Sequence, residues 1–146
     1  MNYKFTSNDK ECFSLHDCRT DRAELTDSQL ILYFPKGIFY NEYGDYWPNT
    51  GRAAVEFVVE SVDETTFYLF KEKKKKKIVQ EFTARQLADK INSQKWQLEF
   101  LYRYDGYEQT MHSVMVCFDK RPYSYEGQLF IRFKSETFKW NSPVPD

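Results

Sequence analysis

No stretch of the sequence is apolar over the ~18 residues that a membrane-crossing helix needs, and the opening MNYKFTSNDK lacks the apolar segment of a secretion signal. Neither export nor insertion is signalled, and the expected location is the cytoplasm. Cysteine is scarce and odd in number, with Cys12, Cys18 and Cys117. In a chain without an export signal this argues against a disulfide framework and for reduced, packed thiols. The two histidines, His16 and His112, leave few ways to build a catalytic triad. Glycine is also sparse, and neither G-x-x-x-x-G-K-[ST] nor G-x-G-x-x-G occurs, which excludes the usual phosphate-cradling loops. No internal repeat and no Pro/Gly/Ser-rich linker divides the chain, so one domain over residues 1–146 is expected.

Aromatic side chains are plentiful, 18% of the residues, and with frequent Val and Ile they suit a pleated, half-buried surface. Several short stretches read as strands. LHDCRTDRAEL is a plausible first one. In SQLILYF, Leu30, Leu32 and Phe34 take one face and Ile31 and Tyr33 the other, a pattern of burial on both sides. Ala53, Val55, Phe57 and Val59 alternate with Ala54, Glu56 and Glu60, a strand with one wet face. TTFYLF, KIVQEF, QLFIRF and ETFKW add further extended segments.

FTARQLADKINS is marked as a helix near residues 84–92: Thr83 and Gln86 form a capping box, Phe82 and Leu87 a hydrophobic staple, and Leu87 and Ile91 an apolar stripe. Arg85 and Asp89 are a possible surface pair. In KWQLEFLYRYDGYEQTMHSVMVCF, Asp105-Gly106 is a favoured hairpin turn. The register it implies sets Trp96 opposite Met115 and Phe100 opposite Met111 on one face, and Glu99 opposite His112 and Arg103 opposite Glu108 on the other. The expected fold is mainly β (α+β): an antiparallel β-sandwich or open barrel of about eight or nine strands with one short helix. So many strands leave edges that a second copy could pair with, so a homodimer is possible.

Charge is uneven along the chain. Residues 1–65 hold 6 Lys+Arg against 12 Asp+Glu and residues 66–146 hold 15 against 10, and the basic excess of the second half is the tract Lys73, Lys74, Lys75, Lys76 and Lys77. Five lysines beside aromatic residues could grip nucleic acid by its phosphates. With no broader cationic field evident along the chain and no RNP-like, zinc or helix-turn-helix motif, the solvated tip of a hairpin is the preferred reading. Cys12, His16 and Cys18 share parity if extended, yet C-x3-H-x-C matches no zinc-ligand spacing, and Cys18 lacks a recognisable base. Local hydrogen bonding by His16 and packing of Cys18 is preferred. Glu99 and His112 could act as base and orienter, but a structural cross-strand pair is the simpler account. No catalytic residue, metal ligand or cofactor is therefore assigned.

The stretch GIFYNEYGDYWPNTG carries Phe39, Tyr40, Tyr43, Tyr46 and Trp47 among three glycines and a proline. Tyr and Trp on a loop offer contact area at low entropy cost, which suits a partner surface. A loop folded back to close one end of the sandwich is the equal alternative.

LHDCR followed by an acidic turn and LILYF resembles the opening of small bacterial β-rich proteins, some of them of the immunity-protein type or carried on mobile elements. FTARQLADKINSQKWQLEFLYRYDGY and FDKRPY are similar to a pattern that recurs in bacterial sequences of this kind. The resemblance implies no catalytic residues, and an immunity-like role would mean binding another protein. The expectation is a non-catalytic cytoplasmic domain that binds a macromolecular partner, most plausibly protein, through Phe39, Tyr40, Tyr43, Tyr46 and Trp47. Nucleic-acid binding through Lys73 to Lys77 is the alternative.

Overall fold

The computed structural model describes residues 2–41, 44 and 46–141, in which the short apolar runs become antiparallel strands. In chain order these are β1 (Phe5–Ser7), β2 (Phe13–Ser14), β3 (Arg19–Thr20), β4 (Arg22–Thr26), β5 (Gln29–Phe34), β6 (Phe39–Tyr40), β7 (Ala53–Val58), β8 (Thr66–Lys73) and β9 (Lys76–Thr83). Helix α1 (Ala84–Asn92) follows, and then β10 (Gln97–Gly106), β11 (Gln109–Cys117), β12 (Ser124–Arg132) and β13 (Ser135–Trp140). Strands β1, β13, β7, β5 and β4, in that spatial order, form one sheet, and β3, β10, β11, β12, β8 and β9 form the other, while β2 and β6 pair separately. Neither sheet closes on itself, so the fold is the expected β-rich sandwich with one helix. The strand count exceeds eight or nine because β1, β2, β3 and β6 have two or three residues each, too few for alternation to mark them.

Alternation governs the longer strands. Strand β5 buries Leu30, Leu32 and Phe34 and leaves Ile31 and Tyr33 half-buried, and β7 buries Val55 and Phe57 with Glu56 half-buried between them. Phe34, Phe57, Phe67, Phe100 and Phe138 are fully enclosed between the sheets. Each such side chain contributes about 1.5–3 kcal/mol relative to exposure. The ring of Phe13 stacks on Phe138 with centroids 4.3 Å apart and meets Trp140 edge-on at 5.3 Å, which ties the β2–β6 pair onto the core.

The segment LHDCRTDRAEL is not one strand. The Cys18 N–H donates to the Leu15 carbonyl at 2.9 Å to close a turn in which Asp17 has φ 64°. Strand β3 then pairs with β10, and after Asp21 β4 pairs with β5, so the chain changes sheets at this point. The Thr20 hydroxyl donates to the Tyr33 carbonyl at 2.7 Å across that corner.

Helix α1 has the expected capping box of Thr83 and Gln86, and it buries Ala84, Leu87, Ala88 and Ile91. Arg85 pairs with Asp27 at 2.6 Å rather than with Asp89. At its end the Asn92 amide both accepts from the Ala23 N–H and donates to the Ala23 carbonyl, each at 2.8 Å, and so takes the place of a neighbouring strand along β4.

The β10–β11 hairpin departs from expectation. Its turn lies at Tyr107-Glu108, with Gly106 opposite Gln109 and Glu108 at φ 52°, two residues beyond Asp105-Gly106. A bulge between Phe100 and Tyr102 leaves Leu101 as the extra residue. The core sets this register: Leu98 and Phe100 face inward together with Thr110, His112, Val114 and Val116, whereas the expected pairing used Met111 and Met115, which are only half-buried. Consequently Glu99 lies opposite Met115 and Arg103 opposite His112. The expected Glu99–His112 and Arg103–Glu108 pairs do not form.

Gly127 of β12 lies where the Phe67 ring crosses the sheet. A Cβ at this position would sit 2.9 Å from Phe67 Cε1 and 3.2 Å from the Tyr68 carbonyl oxygen. Gly127→Ala is therefore expected to lower the unfolding free energy in urea by about 1–3 kcal/mol, and an unchanged midpoint would contradict the packing described.

Candidate functional site

The lysine tract is the tip of the β8–β9 hairpin. Lys74 and Lys75 form the turn with φ 49° and 66°, Lys73 lies opposite Lys76, Lys77 lies opposite Glu72, and all five lysines are exposed. The hairpin reading of FKEKKKKKIVQEF is correct in geometry. The reading that no wider cationic field supports the tract is not, because a cleft on the inner face of the same two strands gathers further cations from distant parts of the chain.

This cleft has a volume of about 290 Å³ and is lined by Lys71 of β8, Lys90 of α1, and Lys120 and Arg121 of the β11–β12 connection, over Phe82, Trp96, Phe118 and Tyr125. The rings pack edge to face: Phe82 on Trp96 at 5.0 Å, Trp96 on Phe118 at 6.2 Å and Phe118 on Tyr125 at 5.6 Å. Lys90 Nζ lies 5.7 Å from the centroid of the Trp96 ring. Trp96 and Phe82 are buried, Phe118 and Tyr125 half-buried, and Lys120 and Arg121 exposed at the rim. Among the described residues no carboxylate lines the cleft. Lys71 stands two residues from Lys73 on β8, about 7 Å along the strand, so the rim of the cleft continues into the lysine tip. An apolar ring floor under cations, with no carboxylate among the described lining residues, suits an anion that carries a flat apolar body.

The residues weighed for chemistry lie elsewhere. His16 is exposed, with Nδ1 2.6 Å from the Leu101 carbonyl oxygen. Cys18 is buried, and burial first, then the Asp17 and Glu99 charges, pushes its thiol up to about 12, so it remains protonated. The Cys12 thiol donates to Asp9 Oδ2 at 3.3 Å. Among the described residues no group of three or more His, Cys, Asp or Glu is placed to hold a metal ion. Glu99 accepts from Arg19 Nε at 3.2 Å.

One charged cluster escaped the sequence reading. The Leu101 bulge changes the parity of β10, so Arg103 turns inward and bonds both oxygens of the buried Glu136 of β13, at 2.7 and 2.6 Å. Arg103 Nε also donates to Asp105 at 2.8 Å, and Lys10 lies 3.5 Å beyond. Burial opposes the Arg103 charge, but Glu136 and Asp105 outweigh it and hold the guanidinium above its usual range. Beside this bridge, a cavity of about 100 Å³ is lined by Ser14, His16, Phe100, Arg103 and His112 among others. His112 is buried against Phe100, and its Nε2 has no hydrogen-bond partner among the described residues. Burial first, and the Arg103 charge second, push its pKa down to about 3.

Of the aromatic loop, Phe39 and Tyr40 turn inward: both are half-buried, β6 pairs with β2, and Tyr40 stacks on Trp140 at 5.6 Å. Tyr46 and Trp47 are 66% and 39% exposed, and Tyr43 lies outside the described residues. The loop thus splits between the two readings of it, its first aromatics closing the sandwich and its later ones facing solvent. No helix among the described residues is long and apolar enough to cross a membrane.

No protein-family model matches this chain, and no curated protein or solved structure matches it either.

His112 generates a pH signature. In the fold it stays neutral to about pH 3, whereas in the unfolded chain a histidine takes up a proton near 6.5, so the unfolded state binds more protons between those values. Stability is expected to fall as pH drops through this window, by up to about 1.4 kcal/mol per pH unit from this residue. In urea titrations His112→Leu should lose less stability than the native protein between about pH 6 and pH 4. Parallel pH profiles for the two proteins would rule out a buried, neutral His112.

Proposed function

We propose that the protein is a non-catalytic binding domain for single-stranded nucleic acid, with one base held in the cationic cleft and the backbone running on toward Lys73 to Lys77. The observation that carries this reading is the company of the cleft: Lys71, Lys90, Lys120 and Arg121 around Phe118 and Tyr125, with no acid among the described lining residues. Phosphates contribute most of the affinity in such binding and stacking on rings contributes about 1–3 kcal/mol per base, so the two residue types are needed together. The volume of about 290 Å³ is at the small end of ligand pockets, the size for one ring system rather than a duplex. The chain as a whole has net charge −1, so the attraction is local to this end of the molecule.

The test is fluorescence anisotropy with labelled single-stranded DNA and RNA oligonucleotides across a salt series. Affinity should fall with salt at a log–log slope of roughly −0.7 for each phosphate contacted, and replacing both Lys90 and Arg121 by Ser should reduce the slope by roughly 1.4. Phe118→Ala should weaken binding at all salt concentrations. Flat salt dependence, or affinity unchanged when Lys73 to Lys77 are replaced by Ser together with Lys90 and Arg121, would sink the reading.

The exposure of Tyr46 and Trp47 favours a second reading, a protein partner held by this loop, which is the role an immunity-like protein would have. Replacing Tyr46 and Trp47 by Ser should then abolish capture of a partner that survives nuclease treatment, and retention of that partner by the double variant would remove the loop from the interface.

A further inference from the structure

The two large sheets have four outer edges, and three of them are short or covered. Strands β1 and β3 have three and two residues and leave only the shorter stretches Ser135 to Thr137 of β13 and Tyr102 to Gly106 of β10 without a strand beside them, and the edge of β4 is met by the Asn92 amide. Strand β9 is different: it is eight residues long, every residue from Lys76 to Glu81 is exposed, and Ile78 and Val79 are 45% and 58% exposed. Among the described residues no other strand or side chain hydrogen-bonds its outer edge from Lys76 to Phe82. A long edge with apolar residues at its centre is a template for pairing with another strand.

The turn determines which backbone groups that edge offers. The two-residue Lys74-Lys75 loop, with both φ positive, is closed by the hydrogen-bonded pair Lys73 and Lys76. Hydrogen-bonded and non-hydrogen-bonded pairs alternate along an antiparallel ladder, and β8 and β9 pair without a shift from Lys73/Lys76 to Thr66/Thr83. Lys77, Val79 and Glu81 therefore occupy the non-hydrogen-bonded positions, with N–H and C=O groups directed away from β8.

We propose that a second copy of this chain pairs with β9 in antiparallel fashion about a two-fold axis at Val79. In this register Val79 lies opposite Val79 of the second copy, and Lys77 opposite Glu81 of the second copy, once on each side of the axis. All three positions present their outward backbone groups, so each forms a hydrogen-bonded pair. Registers centred on Lys77 or on Glu81 would set like charges opposite each other, which is unfavourable. The antiparallel arrangement also carries the two lysine tips to opposite ends of the joined strands, about 30 Å apart and several Debye lengths from each other in physiological salt. The occupant is thus selected by charge complementarity within KKIVQEF itself. The inference concerns the edge of β9 and is independent of the ligand of the cleft.

Sedimentation equilibrium of the full chain tests it. The native protein is expected to form a concentration-dependent dimer. Val79→Pro should leave the circular dichroism spectrum unchanged, because the Val79 N–H makes no bond to β8, and should give a monomer. Lys77→Glu should raise the dissociation constant by roughly tenfold, and adding Glu81→Lys should restore it. A native protein that stays monomeric up to about 0.5 mM, or a charge-swapped double variant no better than Lys77→Glu alone, would overturn the proposal.

Discussion

Mutual burial of the inner faces of the two sheets is the constraint on which the rest of the structure depends, because side chains alternate along a strand and only one parity can face the core. Where a strand keeps its parity, as β5 does with Leu30, Leu32 and Phe34, the result is ordinary packing. Where β10 loses it, at the Leu101 bulge, an arginine is delivered to the interior. Arg103 is tolerated there because Glu136 of the opposite sheet meets it with two hydrogen bonds. A buried pair of this kind contributes little net stability compared with an apolar pair of the same shape, but loss of either member leaves an uncompensated charge inside. The bridge joins β10 to β13 across the core, and the His112 beside it is held neutral first by its own burial and second by the Arg103 charge.

The same constraint explains why the cationic cleft and the lysine tip lie at one end. Strands β8 and β9 extend past the apolar interior: Phe67, Leu69 and Phe82 are buried, while every residue from Glu72 to Glu81 is exposed. Beyond the core, the strands can carry charge on both faces at no desolvation cost. Helix α1 covers the gap on the β4 side and brings Lys90 over Trp96, and the β11–β12 connection brings Lys120 and Arg121 from the other side. The cleft is the space left between these elements, floored by rings that belong to the edge of the core.

Much of the local structure was legible in the sequence for local reasons. The capping box of Thr83 and Gln86 lies within four residues, and the alternation in β5 and β7 is a property of each strand alone. The lysine tip could be placed because like charges and flanking strands admit few arrangements. The β10–β11 register could not. Asp105-Gly106 is a genuine turn signal, but its preference, on the order of a kilocalorie per mole, was outweighed by burial of Val114, Val116, Leu98 and Phe100. The cleft was invisible for a related reason: Lys71, Lys90, Lys120 and Arg121 are unremarkable singly, and counting charges along the chain cannot show which of them meet.

The amino-acid sequence by itself determined the fold class, the helix with its cap, most strand faces and the solvation of the lysine tip, since each depends on interactions among residues close together in the chain. Tertiary structure alone decided that Arg103 turns inward, that His112 is buried without a charge, that four cations share one aromatic floor, and that β9 is the long uncovered edge. Each of these depends on which elements become neighbours when the two sheets close over their common core, and that choice is made by the summed burial of the whole chain.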